Sequence, residues 1–103
     1  MIELIRQHRD EIAAICREHG VRRLEVFGSA ARDDFRPGES DIDFIAEFDV
    51  TPAAPGVLTR YLAVAEALED VLHTPVELLT PASIRNPYLR QSVDACKEPV
   101  YAA

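Results

Sequence analysis

The stretch that decides the fold reads Phe27-Gly28-Ser29-Ala30-Ala31-Arg32, followed after a short loop by Ser40-Asp41-Ile42-Asp43-Phe44. The first segment ends a β-rich run, residues 21–27, and breaks at a glycine before residues that suit a helix. The second begins a run, residues 41–48, that places aspartates on one side and apolar side chains on the other. The sequence therefore predicts a strand, a tight turn and a short helix, then a loop and a second strand that is apolar on one face.

Hydrophobic periodicity predicts the elements around this centre. Apolar residues at helical spacing predict one helix from Ile5 to His19, stopped by Gly20, and another from Leu58 to Leu72, after a connector at residues 51–56. The remaining segments predict a short strand at residues 76–79, a last helix from Asn86-Pro87 to Cys96 and a terminal strand at residues 100–101. Strands that alternate with helices indicate a small α/β (α+β) domain over residues 1–103. We expect a mixed sheet of three or four strands, with the helices packed largely on one face.

Composition narrows the class of protein. The 103 residues are 48% apolar, which suits one hydrophobic core, and their net charge of -7 opposes nonspecific binding to nucleic acid or anionic lipid. Residues 24–50 hold eight acidic residues and two arginines, so six of the seven net negative charges lie there. No apolar run is long enough to span a membrane, and the N-terminus lacks the pattern of a signal peptide. We expect a cytoplasmic protein that contacts neither membranes nor nucleic acid directly.

Two neighbouring features suggest chemistry. Asp41 and Asp43 leave the same strand face, roughly 6.5 to 7 Å apart at the backbone, so they either stay in water or share a cation. Gly28 lets the backbone approach a ligand closely, and Ser29 offers a hydroxyl for phosphate, although a helix N-cap is the simpler role for this serine. A phosphate cradle beside paired carboxylates is what a metal-nucleotide complex requires.

These motifs together resemble the Gly-Ser…Asp-x-Asp signature of the minimal nucleotidyltransferases in the DNA polymerase β superfamily. The resemblance extends over nearly the whole chain and includes the opening helix, the loop at residues 33–37 and the closing segment 86–101. Short members of this family are antitoxins encoded beside HEPN-domain toxins. The resemblance implies a polymerase-β-like nucleotidyltransferase fold.

It also implies a ligand set. Asp41 and Asp43 would bind one or two Mg²⁺ ions, with Mn²⁺ as the alternative, and Gly28 and Ser29 would hold the β and γ phosphates of the nucleotide. The third family carboxylate matches Glu77, which would bind the metal nearest the acceptor and assist its deprotonation. An exposed strand residue is the plainer role for Glu77. Arg32, placed in the nucleotide site, either contacts a phosphate or clamps an acidic neighbour.

Two positions depart from the family pattern. Glu77 stands where the family often has Asp, and its extra methylene shifts the carboxylate by more than about an ångström, which affects metal binding or activation of the acceptor. Asp33 stands where many relatives have Gly, and an acidic side chain near the incoming phosphates lowers nucleotide affinity unless it turns away.

The activity implied by the resemblance is transfer of AMP from ATP to a tyrosine of a HEPN toxin, which silences the toxin. An inert antitoxin that neutralises its partner by contact alone is the main alternative, since Glu77 and Asp33 depart from the pattern. A freestanding enzyme that acts on a small molecule is less favoured, because the chain has no second domain to bind an acceptor. Self-association is compatible with the sequence.

Overall fold

The computed structural model describes residues 1–32, 34–50 and 55–103. Its centre is a four-stranded mixed sheet. The strands are β1 (Val21–Phe27), β2 (Ile42–Phe48), β3 (Val76–Leu79) and β4 (Glu98–Ala102). Their order across the sheet is β3-β2-β1-β4, with β1 antiparallel to both β2 and β4, and β2 parallel to β3. The predicted mixed sheet is confirmed. Its terminal strand is longer than the predicted residues 100–101, because β4 is an edge strand and an edge strand can include a proline such as Pro99.

Four helices accompany the sheet: α1 (Glu3–Gln7), α2 (Arg9–His19), α3 (Val57–Leu72) and α4 (Pro87–Cys96). The prediction of one helix from Ile5 to His19 is wrong, because the backbone leaves helical geometry at His8, with φ -109° and ψ 16°. The His8 amide donates to Ile5 O at 3.2 Å, a tighter turn than the α-helix makes. No helix within the described residues is long and apolar enough to cross a membrane.

The two faces of the sheet are covered unequally. The main core lies between the sheet and α1, α2 and α3, where Ile5, Leu24, Ile42, Phe44 and Leu68 are fully buried. A smaller cluster on the opposite face joins Phe27, Ile45, Ile84 and Val93, the last from α4. Three helices therefore share one face, as predicted, and α4 is the exception.

Strand register brings the polar residues together. Phe27 at the end of β1 pairs with Asp43 near the start of β2, and Asp43 pairs with Glu77 near the start of β3. Directly paired residues point to the same face of a sheet, so Asp43 and Glu77 emerge side by side. They lie on the face that α4 covers only in part. The connector residues 51–54 and Asp33 lie outside the described residues.

Candidate active site

A tight turn follows β1 and abuts the carboxylates. It is a 3₁₀ turn over Gly28–Ala30, in which Gly28 O accepts hydrogen bonds from the amides of Ala31 at 3.1 Å and Arg32 at 3.2 Å. Gly28 has φ +69°, and a Cβ built on it would lie 2.6 Å from Asp43 Oδ2. Only glycine combines that backbone conformation with such a close approach. The predicted short helix is therefore this single turn, and its glycine lets the carboxylate of Asp43 rest against the backbone.

Asp43 and Glu77 form the electrostatic centre of the site. Asp43 is half-buried, and its pKa is raised from 3.8 to about 6 by desolvation, then by a hydrogen bond with the Glu77 side chain and by the negative charges of Glu77 and Asp41. Two carboxylates can share a hydrogen bond only when one of them carries a proton. Below about pH 6 the metal-free pair therefore holds a proton that a cation could replace.

The predicted three-carboxylate metal site is only partly assembled. Asp41 is exposed and influences Asp43 through charge alone, whereas Asp43 and Glu77 are in contact. Across residues 1–32, 34–50 and 55–103, no three His, Cys, Asp or Glu side chains are arranged to hold a metal ion. The donors themselves suit Mg²⁺ or Mn²⁺, since they are all carboxylate oxygens and their mutual repulsion is relieved by a positive charge. The metal assignment of Asp41, Asp43 and Glu77 stays a prediction.

Ser29 lies inside the turn. Phe27 occupies the N-cap position of that turn, so the simple role of Ser29 as a helix cap does not apply. Ser29 is half-buried, and its hydroxyl makes no hydrogen bond within the described part of the chain. The hydroxyl is thus available to a ligand beside the backbone of the turn.

Arg32 engages an acidic neighbour. Its Nε lies 3.2 Å from Asp34 Oδ1 and its Nη2 lies 3.3 Å from Asp34 Oδ2, and both side chains are more than half exposed. The hydrogen bonds and the charge of Asp34 raise the pKa of Arg32. Of the two predicted roles for Arg32, the structure displays the clamp on an acidic residue, and contact with a phosphate stays a prediction. The predicted influence of Asp33 concerns a residue outside the described ranges.

Sequence reasoning missed two side chains at this site. The sequence predicts only a loop around Asp34, and nothing in it indicates which loop carboxylate contacts Arg32. The helical spacing around Tyr61 predicts only a helix, yet burial and the negative charge of Glu77 raise the pKa of Tyr61. Helical spacing predicts only that Tyr61 packs against the core and does not indicate that the charge of Glu77 acts on it.

A groove of about 510 Å³ lies elsewhere, at the end of the sheet where β2 and β3 finish. It is lined by Glu47, Phe48, Val57, Pro81 and others, and none of the predicted site residues borders it. The candidate site is therefore the carboxylate pair beside the Gly28 turn, which combines close charges with a close backbone approach.

Comparison with known proteins identifies the family. The sequence profile of the family described as "Nucleotidyltransferase domain" matches residues 9–98. The chain belongs to this family. A candidate protein adenylyltransferase of Methanocaldococcus jannaschii, MJ1379, is 35% identical over 92 residues, which cover 89% of this chain and 86% of the relative. A second one, MJ0126, is 30% identical with the same coverage.

Solved structures show the same fold. A candidate minimal nucleotidyltransferase superposes with a TM-score of 0.74 and 29% identity, covering 95% of this chain and 96% of that one. A toxin-antitoxin structure with AMP-PNP gives a TM-score of 0.69 at 20% identity and covers 92% of this chain and 73% of that one. A complex of a tri-AMPylated HEPN toxin with its MNT antitoxin, from Shewanella oneidensis, gives 0.65 at 18% identity, with 96% and 73% covered. The predicted family and fold are confirmed.

Replacing Gly28 with alanine should lower the free energy of unfolding by more than the backbone strain of a positive φ alone would. The new Cβ meets Asp43 Oδ2, whereas Gly38, with φ +83°, has nothing within 4 Å of its Cβ position. Chemical denaturation should show Gly38→Ala losing about 1–3 kcal/mol from backbone strain and Gly28→Ala losing more. Adding Asp43→Ala should restore part of the difference. Equal losses in the two single variants would contradict the close approach of the turn to Asp43.

Asp43→Asn should stabilise the metal-free protein in a pH-dependent way. Because the folded pKa of about 6 lies above the unfolded value near 3.8, Asp43 favours folding below pH 4, and this contribution disappears as the pH rises through 6. The variant should therefore exceed the wild type in stability at pH 7.5, and the advantage should shrink towards pH 4. Urea denaturation in EDTA at several pH values measures this, with Asp70→Asn on the exposed side of α3 as the control. An advantage that does not depend on pH would overturn the assigned shift.

Proposed function

We propose that this protein is a Mg²⁺-dependent adenylyltransferase, with Mn²⁺ as an alternative metal, that transfers AMP from ATP to a tyrosine hydroxyl of a HEPN-domain partner and thereby acts as its antitoxin. The observation that carries the proposal is the Asp43–Glu77 pair held against the Gly28 turn. Membership of the nucleotidyltransferase family supports the reaction class. Structural neighbours that contain AMP-PNP, or an AMPylated HEPN toxin, support the nucleotide and the partner.

Each part of the candidate site has its own proposed role. The backbone of the Gly28 turn and the Ser29 hydroxyl would bind the phosphates, since this turn lies directly beside the carboxylate of Asp43. Asp41, Asp43 and Glu77 would hold Mg²⁺, which when bound neutralises negative charge on the phosphates. Glu77 is exposed on the edge strand β3, so an acceptor can approach it from solvent.

The reaction is an in-line substitution at phosphorus. The acceptor hydroxyl oxygen forms a bond to the α-phosphorus, and the bond from that phosphorus to the oxygen bridging the α and β positions breaks. Pyrophosphate leaves with the bridging oxygen, and the hydroxyl proton passes to the carboxylate of Glu77. The product is a phosphodiester between the tyrosine and AMP.

A catalytically inert antitoxin is the second candidate. The specific observation in its favour is that Asp43 and Glu77 satisfy one another while Asp41 stands apart, so the described residues form no ready-made three-ligand site. In such a protein the partner would be neutralised by contact, and the carboxylates would be remnants. Nucleotide transfer separates the two candidates directly.

The wild-type chain, given Mg²⁺ and ATP labelled at the α-phosphate, should transfer label to a HEPN-domain partner from the same genome. Asp43→Ala should abolish transfer while leaving complex formation intact, because a partner recognises a wider surface than the carboxylate pair. Label at the γ-phosphate should stay off the partner, since it leaves with pyrophosphate. Mass spectrometry of the partner locates the modified residue. Neutralisation of the partner's toxicity without any transfer of label would favour the inert antitoxin.

Ser29→Ala should lower the rate of AMP transfer by about 10- to 100-fold, the equivalent of losing one hydrogen bond of about 1.5–3 kcal/mol to a charged group. The melting temperature should change little, because the hydroxyl makes no hydrogen bond among the described residues. Ser92→Ala on the exposed side of α4 is the matched control. A large loss of stability with unchanged specific activity would assign Ser29 a structural role instead.

A further inference from the structure

The loop after the Gly28 turn carries an ion pair with a specific shape. Asp34 meets the side edge of the Arg32 guanidinium, with one oxygen on Nε and the other on Nη2. Within the described residues, Nη1 has no hydrogen-bond partner. The ion pair therefore fixes the plane of the Arg32 guanidinium. The N–H groups of Nη1 can still donate to another acceptor.

The main chain ties this arginine to the candidate site. The Arg32 amide donates to Gly28 O at 3.2 Å, so the arginine backbone belongs to the same turn whose glycine rests against Asp43. Because its backbone belongs to this turn, Arg32 lies within the length of its own side chain from an anion bound there. The surrounding segment is strongly acidic, so an anionic ligand needs such a cation.

The pair contributes little to folding. Exposed ion pairs between neighbouring residues add little to stability, and the side chains of Arg32 and Asp34 are 53% and 62% exposed. Its main consequence is instead conformational. A free arginine loses much rotamer freedom when it binds a phosphate, and an arginine already held in one orientation loses less.

From this geometry we infer that Asp34 is a positioning residue that orients Arg32 towards the phosphates of the bound nucleotide. The inference rests on the proposed function, because it takes the nucleotide to bind at the Gly28 turn. The opposite role, in which Asp34 competes with phosphate for Arg32, is disfavoured because Asp34 occupies the side edge of the guanidinium and leaves the end available. The two roles predict opposite changes in affinity when Asp34 is removed.

The chain offers a matched control in the same loop. Arg36 Nη1 lies 3.9 Å from Glu39 Oε2, and both side chains are more than two-thirds exposed. Glu39→Ala therefore removes an equal charge from a second exposed arginine partner without touching Arg32. Any general effect of a lower negative charge on nucleotide affinity appears in both variants and cancels.

Isothermal titration with Mg²⁺-ATP on the full chain tests the inference. Asp34→Ala should raise the Kd by about 5- to 10-fold while Glu39→Ala changes it by less than twofold, and melting temperatures should agree within about 2 °C. Arg32→Ala should also raise the Kd, and adding Asp34→Ala to it should cause no further loss. Asp34→Glu, which keeps the charge, should recover part of the affinity.

The possible results distinguish failure of the Asp34 role from failure of the proposed nucleotide site. If the wild type binds Mg²⁺-ATP and Asp34→Ala binds equally well or more tightly, the positioning role is overturned and the nucleotide site stands. A loss that is as large in Glu39→Ala, or that persists in the Arg32→Ala background, overturns it too, because Asp34 then does not act through Arg32. If the wild type binds no nucleotide, the proposed function and this inference both fail.

Discussion

The contact between the Asp43 and Glu77 carboxylates, across the parallel pair β2 and β3, is the constraint on which the rest of the site depends. Two acidic side chains in direct register repel each other when both are ionised, and half-burial adds a desolvation cost. Apolar residues on the reverse side of β2, such as Phe44 and Ile42, bury fully and hold the strand in this register. The core thus keeps together a pair that electrostatics would separate.

The Gly28 turn completes this arrangement. A side chain at that position would collide with Asp43, so the glycine is needed to admit the carboxylate. The turn also supplies Ser29 and Arg32 from one short segment, on a backbone closed by hydrogen bonds to Gly28 O. The groups that we propose to bind phosphate and metal therefore lie at the end of the sheet where β1 finishes and β2 and β3 begin.

Most helices and strands could be predicted, because the spacing of apolar residues and the turn residues determine where they lie. Alternation in residues 41–48 and the turn signals around residues 76–79 fixed the strands, and Asn86-Pro87 marked the start of α4. The break at His8 was not predictable, since apolar spacing continues through it. Nor was the placement of α4 opposite the other helices, because it depends on long-range packing of Val93 against Phe27 and Ile45.

For the site, the sequence could place Asp41 and Asp43 on one strand face but could not give the register of β2 against β3. That register makes Glu77 the partner of Asp43, whereas Asp41 precedes β2 and acts on Asp43 only through its charge. The bond from Arg32 to Asp34 depends on the path of a loop that no periodic pattern describes. Contacts within an element follow from spacing, whereas contacts between elements follow from packing that one sequence does not reveal.

The most direct test of the central claim is the coupling between metal and nucleotide in binding. Melting temperatures of the wild type should be measured alone, with Mg²⁺, with ATP and with both, beside Asp43→Asn under the same four conditions. If the carboxylates and the turn form one site, the joint shift exceeds the sum of the separate shifts, since each ligand relieves the charge of the other, and the variant loses this excess. Separate shifts that simply add, or an excess that survives in Asp43→Asn, would contradict the account.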